Sequence, residues 1–411
     1  MVPRDKRSCV TSLPDPISSG RFAIFVPAWR ESDVIGQMLD RATKAFSSHD
    51  HVIYVGCYPN DRPTIDVVRH HEGRDVRMVV GPVNGPTNKA DCLNRLWTAM
   101  CRDEATEGLF KAVVLHDAED VVHSGELRLF DALIDRFALI QLPVVPLIDK
   151  TSRWVAGSYI DEFLESHGKE MIVREAIGAS LPSAGVGCAI RRDVLDMLAA
   201  RLGAPFDQAS LTEDYELGLR IGSFGLHGAF VRLPGGPGRP LVTTREHFPA
   251  SFDAAVRQKS RWIAGIALSG WDRLGWQGGL AERWMRLRDR QTLVAALLLF
   301  AAYVSLLIWA VLAILGAVTG QPLRSFPAYL ELLIALNMLL LIWRMCMRFG
   351  FVAEAFGWRE GLRAIPRTIV SNLIAIFAAR EAVPRYLRMR RTGADAWGKT
   401  AHVFPADIPD E

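Results

Sequence analysis

At 411 residues the chain is long enough for one large domain or two ordinary ones, and a formal net charge of +3 is too mild to imply nucleic acid as a partner. From Gln291 to Leu323 there are 33 positions without Asp, Glu, Lys or Arg, which excludes a wholly soluble protein. The six cysteines (Cys9, Cys57, Cys92, Cys101, Cys188 and Cys346) form no CxxC pair, which suits a reducing compartment and argues against structural zinc.

The first 19 residues are polar and rich in proline, with no apolar run of the kind a signal peptide carries, so a flexible lead is expected. From residue 22 short apolar runs alternate with amphipathic ones. Residues 22–29 read as a buried strand, 31–47 as a helix, 51–57 as a strand and 62–71 as a helix. A strand at 76–81, a helix over 86–102 and a strand at 111–117 follow. This alternation predicts an α/β fold, a parallel sheet covered by helices, in which ligands bind beyond the carboxyl ends of the strands.

The run VVLHDAED (113–120) delivers Asp117, Glu119 and Asp120 at such an edge. Carboxylates this close repel unless a cation joins them, although a solvated charged turn would also fit. In LTEDYELGLRIG (211–222) Thr212 is a candidate N-cap, and Glu213 and Asp214 open a helix, as an ordinary acidic first turn also would. In VRQKSRWIAG (256–265) Gln258, Arg261 and Trp262 share one side of a helix, a pattern that arginine snorkelling and tryptophan anchoring at a membrane would also give. In NGPTNKADCLNRLW, Lys89 sits in the first turn of a helix, where an ammonium and backbone donors could meet an anion or simply face water.

TLVAALLLFAAYVSLLIWAVLAILGAV (292–318) is long enough to span a bilayer, and PAYLELLIALNMLLLIWRMCM (327–347) is a second span, with Glu331 and Arg344 near its ends. The uncharged stretch 368–379 is too short to cross; Ile365, Ile369, Leu373, Ile376 and Phe377 share one face and predict a helix lying in the interface. Arg283, Arg286, Arg288 and Arg290 precede the first span and Arg344, Arg348, Arg359 and Arg363 end or follow the second, whereas the loop of residues 321–327 has only Arg324. The positive-inside bias puts both termini in the cytoplasm.

Taken together and in order, Asp117-Ala118-Glu119, Thr212-Glu213-Asp214 and Gln258-Lys259-Ser260-Arg261-Trp262 resemble the DxD-like, TED and QxxRW elements of inverting glycosyltransferase family 2. The likeness is to its membrane-bound branch with cellulose and hyaluronan synthases, and within that branch to bacterial inner-membrane proteins of phage adsorption. The stretches PAWRESDVI, NKADCLN and GVGCAIRRDVL continue it loosely. The resemblance implies a GT-A, Rossmann-like domain over residues 20–270, then an interfacial helix or linker (271–290), two transmembrane helices (291–347), interfacial amphipathic helices (348–390) and a cytoplasmic tail (391–411).

It further implies transfer of a hexosyl group with inversion from a nucleoside-diphosphate sugar, UDP-linked, to a growing exopolysaccharide at the bacterial inner membrane, with the catalytic domain cytoplasmic. By the same resemblance Asp117 and Glu119 hold Mg²⁺ or Mn²⁺. Asp214 is the general base, Lys89, Asp117 and Arg261 contact the donor, and Glu213, Gln258 and Trp262 contact the acceptor. The family's paired aspartates at the end of the second strand are replaced by Gly56 and Cys57, so Asn60 and Asp61 are expected to take over the nucleoside. One hairpin is few for a polymer channel, so export would need a partner or a homo-oligomer. The alternatives are single transfer to a lipid-linked acceptor, and a silent membrane receptor or scaffold that has kept the fold.

Overall fold

The computed structural model describes residues 9–321, 326–392 and 404–405. Strands β1 (Arg21–Pro27), β2 (His51–Cys57), β3 (Val76–Val80) and β4 (Phe110–Leu115) alternate with helices α1 (Ile35–Phe46), α2 (Arg62–His71) and α3 (Lys89–Glu107). Next come α4 (Glu126–Leu133), β5 (Leu139–Gln141), β6 (Val144–Pro146), α5 (Val155–Glu165), α6 (Met171–Ala176), β7 (Cys188–Arg191), α7 (Arg192–Leu202) and α8 (Glu213–Ser223). The chain then runs through β8 (Gly228–Phe230), β9 (Thr244–Glu246), α9 (Phe252–Trp262), α10 (Gly270–Leu274), α11 (Leu280–Arg290), α12 (Thr292–Thr319), α13 (Ala328–Phe356) and α14 (Trp358–Thr392).

Seven strands form one sheet in the order β3-β2-β1-β4-β7-β5-β8, while β6 and β9 pair separately. The strand period of two sorts side chains to opposite faces. Phe22, Ile24 and Val26 of β1 join Ile53, Val55, Ala112 and Val114 in the core under α1, α2 and α4. Ala23 and Phe25 join Tyr54, Val113 and Leu115 in a second core under α3 and α7. The expectation of a parallel sheet holds for β1 to β4 and fails at β7, which runs antiparallel to both β4 and β5, so the sheet is mixed.

The start is not a flexible lead over its described part. Val10 and Leu13 are buried in the first core, the Val10 amide donates to Pro234 O at 2.9 Å, and the Ile17 and Ser18 amides donate to Asp135. Residues 1–8 lie outside the described residues, as does most of the tail expected at 391–411, although Phe404 packs against that same core.

Two helices widen to five-residue turns. Residues Ser166–Glu170 join α5 to α6, and Ile263–Ser269 join α9 to α10. Such turns re-aim side chains and are frequent beside functional sites.

Helices α12, α13 and α14 are each long and apolar enough to cross a membrane, and the apolar windows of the first two are wholly exposed. The stretch expected as short interfacial pieces is instead split at Gly357 between the end of α13 and one helix running from Trp358 through Pro366 and Pro384 to Thr392. Length therefore no longer excludes a third crossing. The face with Ile365, Ile369, Leu373 and Phe377 is exposed, and the opposite face, with Ala364, Arg367, Ser371 and Ile374, is buried. That buried polar face is neutralised by the globular part: Arg367 forms a two-pronged pair with Asp161 of α5.

Candidate active site

The carboxyl ends of β1 and β4, the starts of α3 and α8 and the end of α9 converge on a cleft of about 320 Å³. Its lining includes Lys89, Asp117, Glu119, Glu213, Asp214, Gln258, Arg261 and Trp262, so eight of the ten residues assigned from sequence meet in one place.

The three carboxylates after β4 separate by role. Asp117 and Glu119 line the cleft, whereas Asp120 turns inward. Asp120 Oδ2 accepts from His116 Nδ1 at 2.7 Å and from the Asp117 amide at 3.0 Å, and His116 Nε2 lies 2.7 Å from Glu126 Oε1. All three side chains are fully buried. Burial works against charge on the imidazole, but Glu126 and Asp120 outweigh it and push its pKa up to about 10. With Glu126 and Asp120 favouring its charged form, His116 staples the turn bearing Asp117 and Glu119. Its replacement in His116→Ala leaves two buried carboxylates without their cation, so denaturant unfolding of the full chain should show a loss of about 3–5 kcal/mol.

Lys89 opens α3 directly after the N-cap Asn88, whose side chain accepts from the Asp91 amide. Its Nζ lies 2.6 Å from Asp117 Oδ1 and donates to Gly185 O at 3.4 Å. Burial opposes its charge, yet Asp117, Glu213 and Asp214 hold the ammonium above the ordinary lysine value. Burial and then the neighbouring Asp214 carboxylate raise Glu213 well above the usual carboxylate range, against the pull of Lys89 and Arg261.

Asp214 is only half-buried and faces the cleft from the first turn of α8. Gly185, at φ +76°, makes room for it: a Cβ there would stand 2.7 Å from Asp214 Oδ2. Thr212 occupies the N-cap position, but its hydroxyl caps no amide; the Oγ1 atom is buried against Gly265 of the widened turn and has no hydrogen-bond partner among the described residues.

On the opposite wall Trp262 stands edge-on to Tyr159 and Phe163. Gln258 Oε1 is buried without a hydrogen-bond partner among the described residues, which suits an acceptor for a ligand hydroxyl. Arg261 has no ion-pair partner within 4 Å among the described residues.

Asp61 and Asn60 are the exceptions: neither lines the cleft. The buried Asp61 carboxylate accepts from the Arg30 amide at 2.5 Å, holding Arg30 at φ 56°. Asn60 exchanges two 2.8 Å hydrogen bonds with Gly85. Asn60 thus braces the loop after β3, and Asp61 braces the loop after β1, which itself brings Trp29 and Glu31 into the cleft. Sequence reasoning missed those two, as well as His167, Glu246, His247 and Phe248. For Trp29 and Glu31 the signal was their place just past a parallel strand; His167 lies within a widened turn, and Glu246, His247 and Phe248 end or follow a three-residue strand, with no such mark.

The donor set fits a hard divalent ion. Asp117 and Glu119 offer carboxylate oxygens, and no group of three or more His, Cys, Asp or Glu among the described residues is arranged to hold a metal ion by itself. An ion here would take its other ligands from substrate oxygens and water, as Mg²⁺ commonly does.

The model of "Glycosyltransferase like family 2" matches residues 20–265. The chain belongs to this family. Its mixed sheet is of the GT-A type. Bacteriophage adsorption protein B of Escherichia coli K12 is 38% identical over 415 residues, covering 94% of this chain, and Bacteriophage N4 adsorption protein B of E. coli O157:H7 matches equally. The chain spans 55% of the length of each relative. Among solved structures, glucosyl-3-phosphoglycerate synthase of Mycobacterium tuberculosis with Mn²⁺, UDP and glucosyl-3-phosphoglycerate aligns over 63% of this chain and 82% of that one. Its 16% identity and TM-score of 0.38 are too low to carry residue roles or ligands across.

Proposed function

We propose that the chain transfers a hexosyl group with inversion from a nucleoside-diphosphate sugar, UDP-linked, to the hydroxyl of a growing exopolysaccharide. The observation that carries this reading is the convergence of Asp214, Arg261, the Asp117–Glu119 pair and Trp262 on one cleft.

Asp214 accepts the proton of the acceptor hydroxyl as that oxygen attacks the anomeric carbon from the face opposite the diphosphate. A single displacement inverts the centre. The Arg261 guanidinium binds the diphosphate oxygens, while Lys89 neutralises Asp117 and adds positive charge on the donor side. Trp262 packs on a pyranose of the acceptor, and Gln258 and Glu213 hold its hydroxyls. Asp117 and Glu119 would hold Mg²⁺ or Mn²⁺, which offsets the charge that develops on the leaving diphosphate. A silent receptor would have no use for a half-buried carboxylate at Asp214 beside a donor site.

The catalytic domain is assigned to the cytoplasmic side of the inner membrane, with α12 and α13 crossing as a hairpin and α14 lying between domain and bilayer. Support comes from two ion pairs: Arg348 in α13 pairs with Glu165 of α5, and Asp289 just before α12 pairs with Arg174, so both helix ends meet the globular part. The far loop holds residues 322–325, outside the described residues, and a probe at Ser325 would fall among them. Phe326→Cys, in a background lacking the native cysteines, should react with an impermeant thiol reagent added to spheroplasts. Ile65 is buried in the first core, so the counter-probe sits at the exposed Asp66: reaction of Asp66→Cys in intact spheroplasts would reverse the topology.

Export of a polymer through so few helices calls for a partner or a homo-oligomer. Membranes supplied with a nucleotide sugar and Mg²⁺ or Mn²⁺ should make a ladder of products of increasing length. One discrete glycolipid would instead establish the single-transfer alternative.

A further inference from the structure

Lys259, the second residue of the QKSRW pentapeptide, points away from the cleft and is buried. Its Nζ lies 2.6 Å from Glu162 Oε1 and 4.8 Å from the centre of the Tyr159 ring. The same Glu162 oxygen accepts from Ser371 Oγ of α14. Tyr159 is fully buried, stacked on Phe248 with ring centroids 4.7 Å apart and planes at 22°, and edge-on to Trp262 at 6.1 Å and 83°. Phe248 and Trp262 line the cleft. A continuous path of contacts therefore runs from the apolar C-terminal helix to the aromatic wall.

Helix α5 is the hub of this joint. Three of its carboxylates each take a cation from a different helix: Asp161 from Arg367 of α14, Glu162 from Lys259 of α9 and Glu165 from Arg348 of α13. Buried ion pairs add little net stability compared with apolar packing, but they fix geometry, because breaking one strands a charge. Of these pairs only Lys259–Glu162 touches the pentapeptide, and its ammonium sits on the ring that supports both aromatic wall residues.

We propose that Lys259 is a positioning residue: tied to Glu162 and through it to Ser371, it fixes the Tyr159–Phe248–Trp262 wall and makes acceptor binding depend on the seating of α14. The kinetic half of this proposal rests on the transfer reading above.

The test uses the full chain in lipid nanodiscs. Lys259→Met should raise the acceptor KM, with cellotetraose and chitotetraose as probes, on the order of tenfold, the scale of coupling within one network. Affinity for UDP with Mn²⁺ should stay unchanged. Lys259→Arg, which keeps charge and reach, should restore most of the loss, and Ser371→Ala should act in the same direction but less. Independently of turnover, amide hydrogen exchange over residues 246–250 and 258–263 should quicken in Lys259→Met while residues 113–120 keep their protection. If the unaltered chain turns over no nucleotide sugar, the transfer reading fails and the exchange pattern alone decides the coupling. Unchanged exchange over 246–250 in Lys259→Met, or equal loosening across both regions, would overturn the proposal.

Discussion

Asp117→Asn should reduce sugar transfer by at least about a hundredfold, since an ion polarising a leaving diphosphate contributes several kcal/mol to the transition state. Removing the ion with EDTA should give the same loss in the unaltered chain. The fold should survive, because Asp117 is half-buried and the turn that carries it is held from below by His116, Asp120 and Glu126. Lys89 would keep Glu213 and Asp214 as partners after the substitution. The check is transfer activity alongside a Mn²⁺ titration: Asp117→Asn should bind the ion more weakly and melt with the unaltered chain. Full turnover in EDTA would remove the metal role from Asp117 and Glu119.

Asp214→Asn and Arg261→Ala should fail in different ways. Asp214 acts on the acceptor hydroxyl, so its amide variant should bind nucleoside diphosphate normally yet lose transfer by roughly 100- to 10,000-fold, the range of general base catalysis. Asparagine occupies nearly the same volume, and the space kept by Gly185 still accommodates it. Arg261 is assigned to the diphosphate, so Arg261→Ala should weaken nucleotide binding by about 1.5–3 kcal/mol, the contribution of hydrogen bonds to charged groups. Calorimetric titration of both variants with nucleoside diphosphate and Mn²⁺ separates them. Equal loss of nucleotide affinity in the two would make Asp214 part of the donor site and send the search for the base elsewhere.

The first half of the sheet was legible because run length and periodicity are local properties: the predicted strand 51–57 and helix 62–71 recur with the same bounds in β2 and α2. The direction of β7 was not, since Cys188–Arg191 is a short apolar run whose partner is chosen by non-local packing. Spacing placed Asp117, Glu119 and Asp120 at the ligand edge but could not tell which faced the cleft. That depends on His116 and Glu126, ten residues apart in sequence and 2.7 Å apart across the core. Asp61 misled for the opposite reason: its place after β2 suggested a ligand contact, while the backbone of Arg30, thirty-one residues away in the chain, claims the carboxylate. The stretch after α13 looked too short to span because Arg367 and Arg380 bound its uncharged run, and sequence could not show that Arg367 is fully buried against Asp161. Glu246 and His247 lie where β9 ends, and a three-residue strand leaves too little pattern to find.

Release of nucleoside diphosphate from a panel of nucleotide sugars, measured on purified membranes with Mg²⁺ or Mn²⁺, tests the central assignment most directly. One sugar nucleotide, UDP-linked, should be consumed by the unaltered chain and by Lys259→Arg, and should be spared by Asp214→Asn membranes carrying the same amount of protein. Nucleotide release that is equal with and without Asp214, or absent with every sugar nucleotide and either ion, would contradict the account.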